Sequence, residues 1–214
     1  RNLLEQSDAR STEASQQRQF VLGSNCGQCC GGVVTLSFQR LTAVPEWMMQ
    51  ELNAERPRAT IAVFGAGHVG HALVDVLAKL DVRIIWVDQR RQQFADQNAQ
   101  TLPENLMLAP HPNPATFAAQ LPPGTLCLVM THSHSLDFEI CSQLLAREDI
   151  PFCGLIGSSS KRRRFEGMLR QAGLGSLAPR LTCPIGVDRV SGKTPYEIAV
   201  STSAQLLQQI DALD

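Results

Sequence analysis

Three glycines at fixed spacing, Gly65-Ala66-Gly67-His68-Val69-Gly70, separate an apolar run from an amphipathic one, and Asp88 closes the next apolar run. Few folds use that arrangement. A strand that turns straight into a helix needs the first glycine for the tight turn and the second so that a phosphate can approach the backbone. The third lets helix and strand pack closely. Helix amides beginning at His68 then point at an anion, and Asp88 is positioned to accept hydrogen bonds from a ribose diol. Arg90 and Arg91 beside it could also receive a phosphate. The plainer alternative is a scaffold of this kind whose nucleotide site is vestigial.

The surrounding pattern fits the motif. Spacing of apolar residues predicts strands over 60–64, 82–87, 105–108, 125–130 and 151–156, with helices over 68–79, 90–97, 114–120, 137–147, 161–171 and 195–212. Strict alternation of strand and helix gives an α/β, Rossmann-like doubly wound parallel sheet. Thr194-Pro195-Tyr196-Glu197 opens the last helix with an N-cap hydroxyl, a proline and a capping-box acid. Residues 1–56 read as a small N-terminal β-containing domain and 57–214 as the Rossmann-like one. In the smaller piece a polar start leads to strands over 19–22 and 33–39, then a helix over 45–54.

Between those first two strands lies Cys26-Gly27-Gln28-Cys29-Cys30-Gly31-Gly32. Glycines let sulfur and amides approach a bound group, and thiolates are soft ligands suited to copper(I), zinc, iron–sulfur or a sulfur-rich molybdenum centre. The turn reads as a soft-metal or sulfur-handling site; the alternative is a glycine-rich hairpin whose thiols pack as small apolar groups. A structural zinc site is disfavoured, since only one Cys-x-x-Cys occurs.

Two further stretches sit where parallel strands end, the edge that lines the ligand crevice in open sheets. His132 and His134, with Asp137 following, can ligate or exchange protons; alternatively Asp137 or Ser135 caps the next helix and the histidines are solvated. Gly157, Ser158 and Lys161 offer a second anion site, or ordinary capping with a basic face.

A formal net charge of −1 over 214 residues gives no electrostatic basis for nucleic-acid binding. No apolar stretch reaches membrane-span length and no signal segment is seen. A soluble cytoplasmic protein is expected, its seven cysteines reduced, with Cys127, Cys141, Cys153 and Cys183 in apolar surroundings. Arg1 in place of Met fits a trimmed or partial product.

Taken together, Gly27–Gly32, Phe64–Gly70, Trp86–Arg90, Thr131–Asp137, Gly154–Ser158 with Lys161-Arg162, Pro184–Gly186 and Thr194–Ala199 resemble the XdhC/CoxI family, accessory proteins of xanthine dehydrogenase and related molybdenum hydroxylases. The resemblance implies a non-enzymatic chaperone that binds the molybdenum cofactor, as molybdopterin or its dinucleotide form. Such a chaperone works with a cysteine desulfurase and hands the cofactor to an apo xanthine dehydrogenase-type enzyme, and a homodimer is expected. On that reading, Cys29 and Cys30 are expected at the metal, and Gly65, Gly67, His68, Gly70, Asp88, His132, His134, Gly157, Ser158 and Lys161 around the cofactor. Family members carry a further Gly-rich N-terminal region without counterpart before Arg1, and Cys26 has no place in the family pattern. The competing class is an NAD(P)-dependent oxidoreductase with His132 as acid–base group. A third, a redox or nucleotide-sensing regulator, would act through the cysteine turn.

Overall fold

The computed structural model describes residues 15–21, 33–39, 57–95, 102–188, 190 and 192–213. Two units divide the chain, Arg1–Glu55 and Arg56–Asp214. In the first, β1 (Ser15–Val21) pairs antiparallel with β2 (Val33–Gln39), from Ser15 opposite Gln39 to Val21 opposite Val33. The first strand therefore begins earlier than the pattern predicts. Leu22, the thiols Cys26, Cys29 and Cys30, and the helix predicted over 45–54 lie outside the described residues.

The second unit is a Rossmann-type domain. Its strands are β3 (Thr60–Phe64), β4 (Arg83–Asp88), β5 (Leu106–Pro110), β6 (Leu126–Val129), β7 (Phe152–Leu155) and β8 (Leu181–Thr182). They form one sheet in the order β5-β4-β3-β6-β7-β8, parallel at every pairing. Helices α1 (His68–Leu77), α2 (Pro114–Ala118), α3 (His134–Leu145), α4 (Ser159–Gln171) and α5 (Pro195–Asp211) cover it. Because both faces are covered, β3 is apolar on both: Ile61 and Val63 join a core with α1 and α5, while Ala62 and Phe64 join one with α2, α3 and α4. The capping box at Thr194 and Glu197 is formed.

Three expectations change. Where a helix is predicted over 90–97, the described residues 90–95 hold a 3₁₀ turn, Arg91–Phe94, because Asp88 accepts the Arg90 amide at 2.8 Å and holds Arg90 extended at φ −93°, ψ 94°. Helices α3 and α4 begin three and two residues before their predicted starts, since Ser133 and Ser158 serve as N-caps. Strand β8, too short to carry a period, is recruited by pairing of Leu181 with Cys153 and Thr182 with Gly154. Among the described residues no helix is long and apolar enough to cross a membrane.

Candidate functional site

Chain order runs outward from β3 to β5, then returns to β6 on the other side of β3. That reversal opens a crevice at the carboxyl ends of β3 and β6. A cavity of about 880 Å³ occupies it, bordered by the glycine turn, the segment after β4 and the segment after β6. Gly65 has φ +119°, and a Cβ there would strike the Met130 carbonyl. A Cβ on Gly70 would strike the Gly65 carbonyl. Both glycines are thus demanded by the fold. Gly67 differs: a Cβ there would meet nothing within 4 Å, so packing does not demand a glycine at that position. Gly67 is also the N-cap of α1 and offers no side-chain cap, whereas Asn113, Ser133, Ser158 and Thr194 cap the other four described helices. The first-turn amides of α1 are left for an anion or solvent.

Asp88 is 3% exposed. Its Oδ2 accepts the Ala66 amide at 2.7 Å and Arg90 Nη2 at 2.9 Å, and its Oδ1 accepts Arg90 N and Nε at 2.8 and 3.0 Å. Burial opposes ionisation of this carboxyl, but the Arg90 guanidinium and the two amides outweigh it and hold it below the usual carboxylate range. The acid ties the end of β4 to the glycine turn.

The XdhC Rossmann domain matches residues 61–206. The chain belongs to the XdhC family. Escherichia coli (strain K12) YqeB, described as uncharacterized, is 28% identical over 185 residues, which are 85% of this chain and 30% of YqeB. A solved xanthine dehydrogenase from Bacillus halodurans shares 24% identity at a TM-score of 0.60, over 85% of this chain and 46% of that one. At that identity the likeness concerns the fold. The XdhC chain spans less than half the length of either relative.

Of the residues singled out from sequence, Gly67, His68, Gly70 and His132 line the cavity of this XdhC domain, and Gly65 and Asp88 shape it from behind. His134 is exposed at the start of α3 and lies outside the cavity wall. Gly157, Ser158 and Lys161 also lie outside it. Ser158 accepts the Lys161 amide at 3.4 Å as N-cap. Lys161 Nζ donates to Asp137 Oδ2 at 2.7 Å and to the Ile156 carbonyl at 2.9 Å, while Asp137 Oδ1 accepts the Thr131 amide at 2.9 Å. This buried pair therefore fixes the loops after β6 and β7 against each other. Gly157 is bare because Lys161 Cδ fills its place.

Sequence reasoning missed His71, Gln92, Gln93, Met130 and Thr131 in the cavity wall. Residues after each parallel strand were the available signal, obscured for the glutamines by the helix expected there. Cys127, Cys141, Cys153 and Cys183 are buried and unpaired. Burial pushes the Cys127 and Cys183 thiols up, and a hydrogen bond with Cys153 together with burial does so for Cys141. Among the described residues no group of three or more His, Cys, Asp or Glu can hold a metal.

Proposed function

We propose that this XdhC-family chain binds the molybdenum cofactor, protects it during sulfuration with a cysteine desulfurase, and delivers it to an apo xanthine dehydrogenase-type enzyme. One observation carries the reading: over residues 61–206 the chain matches the XdhC Rossmann domain, with a large open cavity at the glycine turn. The donor set suits a phosphorylated tail. Uncapped amides at Gly67 to Gly70 and the Arg90 cation supply donors, and bareness at Gly67 supplies room.

The cargo brings a labile terminal sulfur and a soft metal, for which Cys29 and Cys30 are the proposed thiolate ligands. Chaperoning requires protection without permanent retention, so the protein's own groups bind and exclude water and make no covalent change. Binding as a homodimer in the cytoplasm belongs to the same proposal. Purification from molybdate-fed cells, with metal and pterin analysis, tests it directly. Substituting Cys29 and Cys30 by Ser should lower bound molybdenum and reactivation of apo-enzyme. Full transfer by the double variant would remove the thiols from the mechanism. Hydride exchange between a bound nicotinamide and a carbonyl substrate, lost on replacing His132, would instead favour the oxidoreductase reading.

A further inference from the structure

The acid that closes β4 is already saturated. A carboxylate has about four acceptor sites, and Asp88 receives four N–H groups, from Ala66 and three positions of Arg90, at 2.7 to 3.0 Å. A ribose diol arriving there would have to displace an arginine fork from a carboxylate that is 3% exposed. The exchange would leave both charges worse paired.

Arg90 is in the opposite condition. It engages Asp88 side-on through Nε and Nη2, which uses two of the five guanidinium N–H groups and leaves three. Its side chain is 26% exposed and forms part of the cavity wall. Held by Asp88, the guanidinium loses little further freedom on meeting a ligand. No Asp or Glu lines the cavity among the described residues, and Arg90 is the one Arg or Lys that does. The exposed Arg91 follows directly and borders an adjoining hollow shared with Gln92.

We infer that the cavity takes a phosphomonoester at its Arg90 edge and discriminates against an unphosphorylated ribose diol there. The inference rests on the proposed reading of the cavity as the seat of a phosphorylated tail, and narrows it. Two sources can supply the group: the 2′-phosphate of a dinucleotide, or the terminal phosphate of the pterin in its non-nucleotide form.

Calorimetric titration of the full chain with NADP⁺ and with NAD⁺ isolates one phosphate group. NADP⁺ should bind at least about tenfold more tightly, the contrast expected of a charge-assisted arginine contact. Arg90→Gln should bring the two affinities within about threefold of each other and improve NAD⁺ binding, since it frees Asp88 to accept the diol. Because the first comparison uses the unaltered protein, poor folding of the variant leaves the test intact. A second arm compares molybdopterin with its dinucleotide form, and tighter binding of the phosphomonoester form identifies the pterin as the source. Equal or reversed preference in both arms overturns the inference. If that happens while molybdenum cofactor is still carried and transferred, the proposed function stands without it. A phosphate preference in a protein that carries no molybdenum cofactor would instead sink the function and keep the inference.

Discussion

The Trp86 indole donates to the Gly65 carbonyl at 3.1 Å, so a fluorophore is bonded to the glycine turn itself. Its ring also meets His71 edge-on at 4.7 Å, and His71 lines the cavity. A ligand that loads the turn or moves His71 therefore changes the surroundings of a side chain that is 1% exposed. In a Trp47→Phe background, a phosphorylated ligand should produce a saturable change in emission. An unresponsive Trp86 in that background would place binding elsewhere.

The three glycines should separate by variant. Gly65→Ala and Gly70→Ala each drive a methyl into a backbone carbonyl, and should lower unfolding free energy by about 3 kcal/mol. Gly67→Ala enters open space and should cost about 1 kcal/mol or less. Ligand affinity should nevertheless fall about tenfold, because the methyl occupies the approach to the amides. Urea denaturation and titration of the same samples check both halves.

Lys161 and Asp137 should behave as a structural pair. With Lys161 13% exposed and Asp137 1% exposed, Lys161→Met strands a buried carboxylate and should cost about 3–5 kcal/mol. Adding Asp137→Asn keeps an acceptor for the Thr131 amide while removing the charge, so about half of that loss should return. A double variant no more stable than Lys161→Met alone would contradict this assignment.

Acid should release the Asp88 clamp. Its carboxyl titrates below the ordinary 3.8 in the folded protein, so folding favours the ionised form. The stabilisation is complete above the unfolded value and disappears as pH falls through the lower folded one. Asp88→Asn should cost about 2 kcal/mol at pH 7, and the gap from the unaltered protein should narrow below about pH 4. A gap that stays constant from pH 7 to pH 3 would show that the charge of Asp88 adds nothing.

Local chemistry explains which parts of this protein can be read without coordinates. Alternating apolar runs dictated the parallel sheet, since strands covered on both faces need apolar side chains on both. Thr194, Pro195 and Glu197 announced α5 because capping is satisfied within a single turn. The 3₁₀ turn at Arg91 and the edge strand β8 escaped for the converse reason: one follows from a contact with Asp88, the other from pairing with β7.

At the site, the glycine spacing and Asp88 marked the crevice because steric demands at a strand-to-helix turn are short-range. The distant partners of these side chains were not written there. Lys161 and Asp137 lie 24 positions apart, as Asp88 and Ala66 lie 22 apart. Whether a lysine meets a ligand or a carboxylate depends on how separate loops converge. By itself the sequence determined a glycine-rich strand-to-helix turn in an α/β sheet. Only the tertiary structure decided that Asp88 is consumed by Arg90 and Lys161 by Asp137, because electrostatic pairing is settled by distance in space and burial.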